Sequence, residues 1–123
     1  MEIGSARESA AIFDRMSQAN EETAKLLAAH RRRIDELDDE IVRLLAERFE
    51  VVRDVARIKA THDIPARIPE RMEEVSARNS AHGSESGIDP GFVRRLFDQI
   101  VDASCSLEDE LMARISGRED AGR

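Results

Sequence analysis

The chain has little of what several protein classes require. It contains no Trp or Tyr and four Phe, so any hydrophobic core must be largely aliphatic. A single cysteine excludes an internal disulfide and fits a reducing cytoplasm. Because this cysteine and the three histidines are scattered, they offer no metal-ligand spacing, and we predict neither a metal site nor a cofactor.

Long apolar runs and an excess of positive charge are also missing. No apolar segment approaches membrane-spanning length, and the polar start Met1–Arg7 lacks a signal-peptide core. The 26 acidic residues outnumber the 19 basic ones and give a formal charge of −7, which argues against binding to nucleic acid or anionic membranes. The 123 residues fit one domain, expected in the cytoplasm.

The pattern that is present is helical throughout, which predicts an all-α fold. No period-two alternation is long enough for a strand. The first helix is predicted from near Asn20 to about Thr61, where Asp63-Ile64-Pro65 ends it because the residue before a proline leaves helical geometry. Residues 1–20 form a polar extension that is either helical or a frayed arm.

Two shorter helices are predicted after a link of four residues. The second helix starts with Pro69 in its first turn and runs to about Ala81, followed by a loop over Gly83–Gly87. Asp89 and Pro90 are typical of an N-cap and first helical position of a third helix. The helical domain is expected over residues 21–116, with a disordered polar tail over 117–123.

The first helix carries an apolar stripe with alternating steps of three and four residues, which we call the α1 seam. Its members are Ile34, Leu37, Ile41, Leu44, Val51, Val55 and Ile58. Such spacing is typical of a surface that packs on other helices. Two shorter helices cannot cover a seam of this length, so we predict an intertwined homodimer of three-helix protomers.

Two cations stand on or near this seam. Arg48 interrupts the apolar rhythm, and Lys59 lies eleven residues later, within roughly 20° of the same face and about 16 Å away along the axis. A desolvated cation is costly unless an anion meets it. Either Arg48 extends out of the seam to solvent or pairs with Glu108 or Asp102 in a structural bridge, or the seam holds a pocket for a small anionic ligand.

Other polar residues have ordinary interpretations when taken singly. Ser104 is a small residue on the apolar face of the third helix, and Glu108, one turn later, suits a solvated edge. Arg31-Arg32-Arg33 is typical of a solvated basic run, and the histidines are expected at the surface. They are His30, His62 and His82. Together, basic and hydrogen-bonding residues on apolar faces favour the anion pocket.

An ordered set of these residues resembles the all-helical chorismate mutases over about residues 27–113. The set is Arg31-x-x-Ile34-x-x-Leu37-Asp38, Leu44-Leu45-x-x-Arg48, Lys59, Pro65, Arg71 and Leu96-Phe97-x-x-Ile100-x-x-x-Ser104-x-x-x-Glu108. The resemblance implies a three-helix protomer intertwined as a homodimer with two equivalent active sites. It also implies a small dianionic substrate.

The resemblance assigns roles to individual residues. Arg48 would hold one substrate carboxylate, and Arg31 of the partner subunit would hold the other. Lys59 would contact the ether oxygen and a carboxylate, and Arg71 would close the site. The remaining two roles fall on the third helix, where Ser104 would touch a carboxylate and the residue at 108 would donate to the ether oxygen.

The implied reaction is an isomerisation of the shikimate pathway, leading to aromatic amino acids. Chorismate rearranges to prephenate in a concerted pericyclic step that breaks a C–O bond as a C–C bond forms. The protein must hold the reactive conformer and stabilise charge on the ether oxygen. No nucleophile, metal or cofactor is needed.

The chain departs from the family pattern at three positions. Glu108 replaces the common glutamine, and a carboxylate must be protonated before it can donate to the ether oxygen. Met72 and Ile68 stand where acidic residues are frequent. The 4-amino-4-deoxychorismate mutases are similar at Met72 and Glu108, and the isochorismate-pyruvate lyases have a similar Pro-bounded turn. Both remain alternatives, as does a non-catalytic helical dimerisation or regulatory module.

Overall fold

The computed structural model describes the backbone of residues 2–121 and the side chains of residues 7–118. These residues form three helices and no strand: α1 (Glu2–Thr61), α2 (Pro69–Glu85) and α3 (Pro90–Ala121). The all-helical, three-helix prediction is therefore confirmed. None of the three described helices is both long enough and apolar enough to cross a membrane.

Helix α1 begins well before the start that the seam predicts. Residues 2–19 of the polar extension are helical, which is one of the two alternatives that the sequence left open. Met1 lies outside the described residues. The segment is rich in Ala, Glu and Arg, which favour helix, and the first proline of the chain is Pro65. Nothing in the local sequence therefore stops the helix before the seam.

The end of α1 is set by local chemistry, as predicted. The helix ends at Thr61, and the Ile64 N–H then donates to the Lys59 carbonyl at 2.9 Å. Between them Asp63 has a left-handed φ of 55°, a conformation that aspartate tolerates better than most residues. Pro65 prevents any continuation of the helix.

Helix α2 starts at Pro69, as predicted, but ends at Glu85 and not near Ala81. The predicted loop at Gly83–Gly87 is therefore partly wrong, because Gly83 is a buried helical residue. A Cβ atom at this position would lie 2.5 Å from Cγ2 of Val93 on α3. Gly83 thus permits the two helices to approach closely and does not break α2.

Helix α3 has the predicted N-terminus and a later end. A side-chain oxygen of Asp89 accepts a hydrogen bond from the Phe92 N–H at 3.0 Å, and Pro90 is the first helical residue. The helix continues to Ala121, into the segment predicted to be disordered, while residues 122 and 123 lie outside the described part. A lone Gly117 costs a helix only about 1 kcal/mol, which does not suffice to end it.

The chain divides into two structural units between Leu44 and Leu45. The first unit is the α1 helix up to Leu44, and the second contains the rest of α1 with α2 and α3. In the second unit α2 packs directly on α3, and the Ser76 hydroxyl donates to an Asp98 carboxylate oxygen at 2.5 Å. No large side chain among the described residues is completely buried. The buried apolar residues are small: Ala56, Ala66, Val93, Val101 and Cys105.

The contact at Gly83 leads to a stability prediction. Gly83→Ala is expected to lower the free energy of unfolding by about 1–3 kcal/mol, because the new methyl group overlaps Val93 in a packed interface. The control is Gly117→Ala, where the added Cβ meets no atom within 4 Å. That variant should gain up to about 1 kcal/mol of helix propensity. Urea unfolding at equal protein concentration measures both, and a stabilised Gly83→Ala variant would contradict the close approach.

Candidate active site

A cavity of about 390 Å³ lies within the second structural unit. The end of α1, the link before α2, and helices α2 and α3 all contribute to its wall, which is mostly apolar. Its lining residues are Arg48, Val51, Val52, Val55, Lys59, Ala66, Ile68, Arg71, Met72, Val75, Val101, Ser104, Cys105 and Glu108. Seven of the eight predicted site residues line this cavity. The eighth, Arg31, belongs to the first unit.

An ion pair joins α1 to α3 at one end of the cavity. Lys59 Nζ lies 2.8 Å from a carboxylate oxygen of Glu108, and the two side chains are only 14% and 7% exposed. The Lys59 ammonium group also donates to the Ala66 carbonyl oxygen at 2.9 Å. Two desolvated charges are tolerated in an apolar wall when they meet each other and further hydrogen bonds satisfy them. In this pairing Glu108 accepts a hydrogen bond and does not donate one.

A second polar contact joins the same helices further from the end of α1. Arg48 Nη1 donates to the Ser104 hydroxyl at 2.6 Å, and that hydroxyl donates to the Ile100 carbonyl at 2.7 Å. Of the two carboxylates considered for a bridge with Arg48, Glu108 pairs with Lys59, and Asp102 pairs with Arg67 on the outer face of α3.

The two contacts bring the cations together. Arg48 and Lys59 are about 16 Å apart along α1, but their partners Ser104 and Glu108 are separated by about 6 Å along α3. The long basic side chains must therefore lean toward each other to reach one turn of α3. The gap for a compact dianion that sequence spacing predicts between these two side chains remains a prediction, with which this convergence is compatible.

Helix α2 contributes a third cation and an apolar surface. Arg71 lines the cavity, although Nη1 bonds to Glu74 at 2.7 Å and the side chain is 62% exposed. Ile68 and Met72 are half-buried on the same side. The departures from the family pattern thus place apolar groups on a wall where carboxylates are frequent in the family.

The charges of the lining residues favour an anionic ligand. Three cationic side chains and one carboxylate line the cavity. An apolar cavity with a few convergent charged groups is the usual form of a small-molecule site. In the part of the chain that the structure describes, no three His, Cys, Asp or Glu side chains cluster as metal ligands would. The histidines at 30, 62 and 82 are exposed, as predicted.

Seven of the fourteen lining residues were not predicted as site residues, and two of these seven make polar contacts at the site. Ala66 supplies a carbonyl oxygen to Lys59, and the Cys105 thiol donates to the same oxygen at 3.8 Å. Burial raises the pKa of the Cys105 thiol, and the Glu108 charge raises it further. The thiol therefore ionises less readily than a free cysteine and is a weaker nucleophile. Every residue has a backbone carbonyl, so no sequence signal identifies Ala66, whereas Cys105 adjoins the predicted Ser104.

Comparison with known proteins identifies the family. Residues 30–109 match the family model described as chorismate mutase type II. The chain is 33% identical over 87 residues to the 4-amino-4-deoxychorismate mutase of Streptomyces pristinaespiralis, covering 71% of this chain and 67% of that protein. It is 31% identical over 86 residues to the chorismate mutase of Methanocaldococcus jannaschii, with 70% and 87% covered.

A third relative carries a different activity. The isochorismate pyruvate lyase of Pseudomonas aeruginosa is 38% identical over 76 residues, which cover 61% of this chain and 73% of that protein. Residues 30–109, which match the family model, contain Arg31 and the seven predicted site residues that line the cavity. The chain belongs to the chorismate mutase type II family.

Proposed function

We propose that this chain is an isomerase that rearranges chorismate to prephenate in the cavity between the end of α1, α2 and α3. The observation that carries the proposal is the convergence of Arg48 and Lys59 on one turn of α3 within an apolar wall. Chorismate carries two carboxylates, which match the excess of cationic groups. The step is concerted, since one C–O bond breaks as one C–C bond forms, and no electrons or protons enter or leave.

Binding and orientation fall to the arginines. Arg48 is held by Ser104 and presents its remaining guanidinium donors to one substrate carboxylate. Arg71, on the α2 side of the cavity, exchanges its exposed contact with Glu74 for the substrate. Fixing both ends of the dianion selects the folded conformer in which the bond-forming carbons meet.

Stabilisation of the transition state falls to Lys59. An ammonium group has three N–H donors, and Glu108 and Ala66 account for two of them. The third is directed to the ether oxygen, on which negative charge grows as the C–O bond breaks. Glu108 then acts through Lys59, by fixing the direction of the remaining donor.

A second copy of the chain completes the site in this proposal. The α1 seam is exposed in the single chain, with Ile34, Ile41 and Ile58 55%, 56% and 58% exposed, and a stripe this apolar favours burial against another helix. A homodimer covers it and allows Arg31 of the partner subunit to reach the second carboxylate. The exposed seam supports this arrangement.

The second candidate function is rearrangement of 4-amino-4-deoxychorismate. Glu108 and Met72 match the residues that the resemblance associates with those enzymes. A relative at 33% identity also carries that name. In this alternative the anionic Glu108 offsets the positive charge of the ring amino group.

One experiment separates these functions. The purified protein is incubated separately with chorismate, 4-amino-4-deoxychorismate and isochorismate, and products are identified by mass and NMR. We expect prephenate from chorismate. A faster reaction of the amino substrate would support the second candidate, release of pyruvate from isochorismate would support a lyase, and no turnover of any substrate would reject the enzyme proposal.

The variant Glu108→Gln refines the same measurement. Glutamine keeps a carbonyl oxygen that can accept from Lys59 and adds a neutral donor for the ether oxygen, so kcat/KM for chorismate is expected to stay the same or rise. The value for the amino substrate is expected to fall about tenfold, equivalent to about 1.4 kcal/mol of lost charge stabilisation. Glu110→Gln is the matched control, because Glu110 is an exposed partner of Arg114 on the same helix. Equal effects on both substrates would contradict the role of charge at Glu108.

A further inference from the structure

The link between α1 and α2 is tied to α3 by one exposed arginine. Arg67 Nη1 lies 2.9 Å from Asp102, Nη2 donates to the Ser106 hydroxyl at 3.3 Å, and Nε lies 3.8 Å from Asp109. These partners recur at steps of four and three residues, so they form one stripe along α3. The stripe adjoins the cavity-facing residues of α3 but does not belong to them.

The residue before this arginine is a direct partner of the proposed catalytic lysine. Ala66 is 5% exposed, and its carbonyl oxygen accepts hydrogen bonds from Lys59 and Cys105. Prolines at 65 and 69 fix φ at both ends of the link, so its backbone has few alternative paths. The position of Arg67 on α3 therefore determines the direction of the Ala66 carbonyl group.

We propose that Arg67 is a positioning residue, which sets the direction of the Lys59 ammonium group through the Ala66 carbonyl. The inference rests on the proposed function, in which Lys59 donates to the breaking C–O bond. Arg67 makes no contact with the cavity and acts from its outer side. Without this anchor the link moves away from α3, and Lys59 loses one of the two acceptors that orient it.

The chemistry of the contact suits an anchor. A guanidinium group presents its donors in a rigid fork, and here one fork reaches three side chains on two turns of α3. The hydrogen bond to Asp102 raises the pKa of Arg67 above its already high usual value, so the guanidinium is charged at neutral pH. The side chain is 44% exposed, and an exposed ion pair adds little to stability. The main effect of the Arg67 contact is then to hold the link between α1 and α2 in a fixed position on α3.

Two readouts test the proposal, and the first needs no substrate. Cys105 is the single cysteine, is 4% exposed and contacts the Ala66 carbonyl, so a docked link protects its thiol. Loss of the Arg67 charge by itself raises the pKa of the thiol, so alkylation rates are compared at equal fractions of thiolate. On that basis the rate of alkylation of Arg67→Ala by iodoacetamide is expected to rise at least tenfold. Arg94→Ala is the matched control, since Arg94 is 40% exposed and pairs with Glu73 across α2 and α3 away from the cavity. Its thiol should react at the wild-type rate.

The second readout is the rate of rearrangement. Arg67→Ala is expected to lower kcat about tenfold, since a small misplacement of a catalytic group is enough for such a loss, while KM changes less than threefold. Arg67→Lys, which keeps the ion pair with Asp102, should recover kcat to within threefold of the wild type. Arg94→Ala should leave both constants unchanged.

The outcomes separate the two proposals. If kcat of Arg67→Ala stays within twofold of Arg94→Ala, the positioning role is overturned, whatever happens to the thiol. If Cys105 is equally protected in both variants, Arg67 does not anchor the link and the inference also fails. If the wild type turns over no substrate, the proposed function fails, and the alkylation rates still decide whether Arg67 docks the link.

Discussion

Replacing Lys59 with methionine is expected to lower kcat/KM for chorismate by a factor of about 100 to 1000. A charge-assisted contact that strengthens in the transition state contributes about 3–4 kcal/mol, and Lys59 is the group directed to the ether oxygen. Arg48→Met should cause a loss of the same order by removing a carboxylate contact. Steady-state kinetics on folded protein measure both effects.

The two variants should differ in stability, which the sequence alone did not anticipate. Lys59→Met leaves Glu108, whose side chain is 7% exposed, without its ionic partner, and stranding a buried charge costs about 3–5 kcal/mol. Arg48→Met leaves Ser104 bonded to the Ile100 carbonyl, so little stability is lost. The sequence alone does not reveal this difference, because spacing along α1 does not place Lys59 against Glu108.

A double variant separates folding from catalysis at Lys59. Lys59→Met/Glu108→Met replaces both charges with apolar volume, so it should recover most of the lost unfolding free energy. It should remain as inactive as Lys59→Met. If activity returned together with stability, Lys59 would be a structural residue and the proposed mechanism would be wrong.

Mixing two inactive proteins is expected to restore activity. A heterodimer of Arg31→Ala and Arg48→Met chains has one site with both arginines intact and one site with neither. Random exchange of equal amounts makes half of the dimers mixed, so activity should return to about a quarter of the wild type. The expectation follows from the proposal that Arg31 acts in the site of the partner subunit.

A second mixture is the control for this experiment. In this mixture one chain carries Arg48→Met and the other Lys59→Met. Since each site takes both Arg48 and Lys59 from a single chain, every site keeps one defect and no activity should return. Subunit exchange is verified with chains of different mass. No recovery in the first mixture would show that the site does not draw Arg31 from the partner. Recovery in the control mixture would show that one chain does not supply both Arg48 and Lys59 to a site.

The sequence predicted three of the six helix boundaries, because local chemistry determines those three. The end of α1 depends on Asp63 and Pro65, and the starts of α2 and α3 depend on Pro69 and Asp89. Gly83 was misassigned because a glycine that ends a helix and one that admits a neighbouring helix look alike in sequence. Only the approach of α3 distinguishes them.

The site residues that could be predicted from the sequence are those whose polar side chains interrupt an apolar pattern. Arg48 and Ser104 interrupt apolar stripes, and both line the cavity. The pairing of Lys59 with Glu108 was not predictable, because spacing along one helix does not specify the register of another. The roles of Ala66 and Arg67 depend on the path of a short link, which the two flanking prolines restrict but do not determine.

The small core of the second unit has a consequence for how the protein assembles. With no large side chain completely buried among the described residues, one chain removes little apolar surface from water. If a second copy covers the α1 seam, folding and association become a single bimolecular reaction. The fraction of folded protein would then depend on its concentration in the cell, and a low expression level would reduce activity more than in proportion.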